Sequence, residues 1–224
     1  LNGVLITHLH SDHITDLNDV ITSAWIATFA EQEPLQIVGP PGTKEVVDRL
    51  LHFLSFDIKY RIDHHEDLNE PPAVNVTEIE SGVVELKGDV KISTELTDHH
   101  PVGPTIAFRF DHGNDAVVVA GDTIPCAGLD KLCTGAKGLV HTVIRKDIIE
   151  SIPLQRLQDV CDYHSSVEEA SQTAERAGIE TLVFTHYVPA FPSGQEEEWE
   201  KIAAQHFSGR IELGDDLHRV EIGE

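Results

Sequence analysis

Thr7-His8-Leu9-His10-Ser11-Asp12-His13 is the stretch that decides how this chain reads. It follows directly on the apolar run Val4-Leu5-Ile6, which has the composition of a buried β-strand. In an extended segment His8 and His10 lie two residues apart and face the same way. A turn at Ser11 then brings Asp12 and His13 round as a second pair. Imidazole and carboxylate are the donors that suit Zn²⁺ and related borderline ions. His8, His10, Asp12 and His13 can therefore serve two ions, one pair each. A polar loop would account for one such histidine, but not for this spacing directly after a strand.

Outward from that loop, strands and helices alternate without repeats or low-complexity segments. Residues 17–29 have helical apolar spacing, with Val20, Ile21, Ala24, Trp25, Thr28 and Phe29 on one side. A short strand at 35–38 closes on Gly39-Pro40-Pro41-Gly42, and a helix over 43–54 follows with Thr43 as its cap. The acidic, proline-containing stretch 63–72 reads as loop. From 74 to 121 the pattern is β-rich, with strands at 74–79, 83–86, 90–97, 105–110 and 116–120, and Gly113-Asn114 as a hairpin turn. Residues 139–144 form another apolar run. Ser166 and Glu169 make a capping box for a helix that Gly178 ends. A strand at 181–184 runs into Thr185-His186, and a last helix over 195–207 precedes two short terminal strands. No linker interrupts this order, so 1–224 reads as one domain with helices flanking β-sheets.

Composition narrows the function. Lys plus Arg is 16 against 39 for Asp plus Glu, a formal net charge of −23, which opposes polyanion binding by the surface as a whole. No apolar run has the length of a membrane-spanning helix, and no signal-peptide pattern opens the sequence. The three cysteines, Cys126, Cys133 and Cys161, show no CxxC spacing and suit a reducing compartment, so a cytoplasmic location without membrane attachment is expected.

The HxHxDH loop resembles the metallo-β-lactamase superfamily, and the resemblance extends over nearly the whole chain. Gly121-Asp122-Thr123, Val140-His141, His164-Ser165-Ser166 and Thr185-His186 follow in an order similar to the ribonuclease Z branch. Asp98-His99-His100-Pro101-Val102, ahead of Phe108-Arg109, resembles that branch's histidine-bearing strand end. The resemblance implies an αββα four-layer sandwich (α/β, or α+β) with two metal ions at one rim. His8, His10 and His99 would hold one ion; Asp12, His13 and His186 would hold the other, with Asp122 bridging. Register to Arg109 points to His99 rather than His100. His141 and His164 would stand beside a substrate phosphate, and the capped helix after His164 offers free amides to an anion. Ions held this way polarise a phosphoryl or carbonyl oxygen and activate water, whose proton Asp12 can orient or accept.

The implied activity is a zinc-dependent phosphodiesterase that cuts transfer-RNA precursors at their 3′ ends, with two Zn²⁺, or Mn²⁺ or Fe in the same sites. Three features depart from the ribonuclease Z pattern. Thr142 stands where a glutamate follows the histidine. The interval from His99 to Asp122 has no room for the long arm that grips transfer RNA. Arg145 and Lys146 lie near the implied site but beside Asp147 and Glu150. These departures support an arylsulfatase-like hydrolase of small phosphodiesters, sulfate esters or lactones as the alternative, and a non-catalytic metal-binding dimerisation protein as a second. The superfamily also places strands ahead of its HxHxDH loop, so an N-terminally incomplete domain is expected here.

Among the remaining residues, Trp25, Phe29, Phe53 and Phe56 fit core or interface packing, and the 17–29 helix offers a surface for a homodimer. His64-His65 lacks neighbouring ligands. Cys161, close to His164, reads as a small buried residue.

Overall fold

The computed structural model describes residues 1–27, 33–190 and 194–223. Two β-sheets form its centre. The smaller is parallel, with strands β1 (Val4–Leu5), β2 (Leu35–Gly39) and β3 (Val74–Glu78) in that order. The larger contains β4 (Gly82–Val84), β5 (Lys91–His99), β6 (Val102–His112), β7 (Asp115–Val119), β8 (Gly138–Ile144), β9 (Thr181–Val188) and β10 (Arg210–Leu213). Its spatial order is β10-β9-β8-β7-β6-β5-β4, antiparallel from β4 to β7 and parallel from β7 to β10.

Helices α1 (Ser11–Ile14), α2 (Leu17–Ile26), α3 (Thr43–Phe53) and α4 (Ser55–His64) belong to the first half of the chain. Helices α5 (Ala127–Cys133), α6 (Lys146–Glu150), α7 (Gln155–Gln158), α8 (Val167–Ala177) and α9 (Glu196–Ala203) belong to the second. None is long and apolar enough to cross a membrane.

Side-chain alternation along the strands builds three apolar layers. Leu5 and Val38 turn toward Ile106 and Phe108 of β6, filling the space between the sheets. Their neighbours Ile6 and Ile37 turn the other way, onto Leu17 and Ile21 of α2 and Val47 of α3. On the far face of the larger sheet Ala107, Val118, Leu139 and Leu182 meet Leu129 of α5, Ala170 of α8 and Trp199 of α9. The order helix, sheet, sheet, helix is the αββα sandwich implied by the histidine loop.

Local chemistry explains most element ends. Ser166 caps α8 with both capping-box bonds present, and Gly178 stops it at φ 69°. Gly113, at φ 59°, is the first residue of the two-residue turn between the paired His112 and Asp115.

Several expectations change. Thr43 is not a cap: it is buried, and its hydroxyl donates to the Pro40 carbonyl at 2.6 Å. The cap of α3 comes instead from Glu78 at the end of β3, whose carboxylate accepts from the Gly42 and Lys44 amides at 2.8 and 2.9 Å. Residues 63–72 are not all loop, because Asp63 and His64 close α4. That helix is hidden in the sequence because Phe56, Ile58, Tyr60 and Ile62 alternate with polar residues in strand fashion. It is braced by i,i+4 pairs, Asp57–Arg61 at 2.8 Å and Lys59–Asp63.

At the C-terminal end, α9 stops at Ala203, and β10 is the one strand that follows among the described residues. In α2, Leu17, Ile21 and Trp25 are buried within the chain, and Trp25 Nε1 donates to the Glu70 carbonyl at 3.0 Å. Thr28 and Phe29 lie outside the described residues. Phe53 and Phe56 are exposed rather than core, on α3 and α4.

Candidate metal centre

The site lies where β1, β5, β7, β8 and β9 end. His10 is still extended (φ −63°, ψ 148°), and the short α1 that begins at Ser11 turns Asp12 and His13 back toward His8. His99 comes from the end of β5, after an irregularity in the β5–β6 register. Asp122 follows Gly121, whose φ is +66° and whose missing Cβ would stand 2.8 Å from the Thr7 side chain. Only glycine fits that bend, since a side chain would meet both strain and collision. His186 follows Thr185 in β9 and carries φ 52°, a left-handed backbone costly for a histidine.

Asp122 is the hub. Its Oδ2 lies 3.2 Å from Nε2 of both His13 and His164, 3.8 Å from Nε2 of His8 and His186, and 4.0 Å from Nε2 of His99. His10 Nδ1 is 3.1 Å from His8 Nε2 and 3.3 Å from His99 Nε2. His186 Nε2 lies 3.3 Å from Asp12 Oδ2. Donor atoms therefore gather in two groups, His8, His10, His99 and Asp122 in one and Asp12, His13 and His186 in the other, each with its atoms within 4.8 Å of one another. The family resemblance implies the same two groups, with Asp122 between them.

The donor set fits divalent metal ions. His13 Nε2 and Asp122 Oδ1 are buried without a hydrogen-bond partner, a cost that metal coordination would remove. The outer nitrogens of other rings are already engaged. His99 Nδ1 donates to the Tyr163 carbonyl at 2.8 Å, His164 Nδ1 to the Val160 carbonyl at 3.0 Å, and His8 Nδ1 meets the Thr7 hydroxyl at 3.2 Å. With Nδ1 tied outward, each ring presents Nε2 to the centre.

Electrostatics follows from burial and from the hub. Burial, with His13 beside it, lowers the His8 imidazole to about 3. Burial also lowers His99. For His13 burial acts downward, but the Asp122 carboxylate outweighs it and raises the ring. Burial opposes ionisation of Asp122 and Asp12. The contacts of Asp122 with His13 and His164, and of Asp12 with His186, prevail and hold both carboxyls below their ordinary value.

His164 stands within the cluster, with its ring 4.7 Å from that of His99. His141 does not: it is fully buried, and its Nδ1 donates to the Thr142 carbonyl at 2.6 Å. Its Nε2 has no partner, and burial lowers the ring to about 4. His100 is exposed and outside both groups. His64 and His65 are exposed and touch each other, with ring centroids 5.0 Å apart. Cys161 is buried, and burial raises its thiol. Arg145 and Lys146 are not free for a phosphate. Arg145 holds Asp147 at 2.7 Å and stands over the Trp199 ring, and Lys146 holds Glu169 at 2.8 Å.

Sequence reasoning did not find Thr7, Val160 or Tyr163. Two of them act through backbone carbonyls, which leave no mark in residue identity.

The chain is similar to known proteins in sequence and in fold. The β-lactamase superfamily domain model matches residues 1–187. Ribonuclease Z of Mycolicibacterium paratuberculosis is 60% identical over 223 residues, covering 99% of this chain and 80% of that protein. Ribonuclease Z of Mycolicibacterium gilvum is 56% identical, covering 99% and 78%. The fold is similar to that of the short form of human tRNase Z, with TM-score 0.67, 17% identity and coverage of 100% of this chain and 80% of that one. It is likewise similar to the metallo-β-lactamase fold protein YhfI from Bacillus subtilis, with TM-score 0.68, 19% identity and coverage of 96% and 74%. The chain belongs to the ribonuclease Z family of the β-lactamase superfamily.

Proposed function

We propose that the protein is a dinuclear zinc-dependent phosphodiesterase that cuts transfer-RNA precursors at their 3′ ends. The observation that carries this reading is the pair of donor groups meeting at Asp122, in a chain 60% identical to a ribonuclease Z. His8, His10 and His99 would hold one ion, Asp12, His13 and His186 the other, and Asp122 both. These nitrogen and oxygen donors accept Mn²⁺ or Fe as well as Zn²⁺. When bound, the ions supply Lewis acidity and an activated water for attack on a phosphoryl group.

The chain's own residues orient and move protons. Asp12 is largely exposed and stands 3.3 Å from His186, where its carboxylate can accept a proton from attacking water. His164 keeps Nε2 directed at the centre and can hand a proton to the leaving oxygen. His141 is fully buried, which favours a supporting role over contact with the phosphate.

A small phosphodiester or sulfate ester remains the second reading, supported by the cations. Of the 16 Lys and Arg residues, only Lys91, Arg156 and Arg219 stand outside an ion pair among the described residues. Phe53, Phe56 and Tyr60, exposed on α3 and α4, offer an apolar surface for a homodimer. The chain is read as a cytoplasmic, single-domain protein.

The test is an assay of zinc-loaded protein on a 3′-extended precursor transfer RNA and on bis(p-nitrophenyl) phosphate, with Asp122→Ala and His186→Ala as controls. RNA cleavage lost in both controls supports the first reading. Turnover of the small ester alone supports the second, and turnover of neither supports a binding protein.

A further inference from the structure

Thr142 occupies the position where the ribonuclease Z pattern has glutamate, yet it is not a neutral filler. It is 5% exposed, and its hydroxyl donates to the carbonyl of Gly121 at 2.9 Å. That carbonyl belongs to the peptide bond leading into Asp122. On its other side Gly121 is pressed against Thr7, so the bend carrying Asp122 is held from two directions. Thr142 is also the pairing partner of Thr185, the residue before His186, at the point where the β8–β9 register shifts. Its own carbonyl accepts from His141 Nδ1.

We propose that Thr142 is a positioning residue of the metal centre, acting through its hydroxyl on the Gly121–Asp122 peptide to fix the bridging carboxylate. The proposal rests on the reading of Asp122 as a metal ligand. A glutamate acts by supplying charge to a ring; here a neutral hydroxyl fixes backbone instead. Side chains that orient a ligand from behind typically contribute 10- to 100-fold to metal affinity or activity.

Zn²⁺ titration of metal-free protein against a chelator tests this, with circular dichroism confirming the fold. Thr142→Val keeps the side-chain shape and removes the hydroxyl; Thr142→Ser keeps the hydroxyl. Zn²⁺ affinity should fall about 10- to 100-fold in Thr142→Val and return to within a few-fold of wild type in Thr142→Ser. On bis(p-nitrophenyl) phosphate at saturating Zn²⁺, kcat should fall in Thr142→Val while KM holds. Should the valine variant not fold, Thr142→Ala takes its place, with the same expected loss.

Wild-type affinity in the valine variant overturns the proposal, and so does a serine variant as weak as the valine one. A purely packing role would lower the melting temperature of Thr142→Val without moving affinity or kcat. Asp122→Ala separates the two levels of the argument. If it binds Zn²⁺ like wild type, the metal-centre reading fails and the Thr142 proposal with it. If it loses Zn²⁺ while Thr142→Val does not, only the role of Thr142 fails.

Discussion

Nε2 of His164 lies 3.2 Å from Oδ2 of Asp122, while its Nδ1 donates outward to the Val160 carbonyl. The ring is thus oriented by backbone, with one exchangeable nitrogen facing the centre. His164→Ala should lower kcat by about 10²- to 10⁴-fold, the range for loss of a proton-transfer group. Zinc content should be unchanged, as measured by elemental analysis. Loss of an ion along with activity would instead make His164 a ligand.

Gly121 tests how tightly the Asp122 bend is held. At φ +66° and with Thr7 2.8 Å from the position of a Cβ, Gly121→Ala must strain the backbone and displace Thr7. A destabilisation of about 1–3 kcal/mol is expected from the backbone conformation alone. Urea unfolding of the metal-free variant would measure it, and stability equal to wild type would show that the bend relaxes freely.

Acid should destabilise the metal-free protein through its buried histidines. Burial lowers His8 to about 3 and His141 to about 4, from an unfolded value of 6.5. Below pH 6.5 the unfolded chain therefore takes up protons that these folded rings refuse. Stability is present above 6.5 and is lost as pH falls toward 4, by roughly 3 kcal/mol for His141 alone. His13, raised by Asp122, acts in the opposite sense. Urea midpoints at pH 7 and pH 4.5 should differ less in His141→Gln than in wild type. Equal differences would remove His141 as the source.

The scarcity of unpaired cations among the described residues predicts weak contact with RNA and a shallow salt dependence. With Lys91, Arg156 and Arg219 as the cations outside an ion pair among the described residues, about three phosphates are neutralised, so log K should fall with log salt at a slope no steeper than about −3. Fluorescence anisotropy with precursor transfer RNA across a salt series reads the slope directly. A slope near −6 would require a basic surface that the ion pairs do not leave.

The clustering of the candidate site was legible because His8, His10, Asp12 and His13 crowd one loop and because Asp122 and His186 each close an apolar strand. The choice of His99 over His100 also agrees with position, since His99 is buried and His100 exposed. What the sequence hid was everything that acts at a distance or through backbone. Glu78 caps α3 from more than thirty residues away, and the Val160 and Tyr163 carbonyls orient His164 and His99 without side-chain identity mattering. Helix α4 was hidden by period-two alternation, and the burial of His141 by its place in a β-strand whose neighbours were not yet known.

The most direct test of the central claim is the zinc content of the protein after reconstitution and gel filtration, compared with that of Asp122→Ala. The arrangement around Asp122 predicts about two ions per chain in the wild type and loss of bound zinc in the variant. Full zinc content in Asp122→Ala would contradict it, because the carboxylate at the meeting point of both donor groups would then hold neither ion.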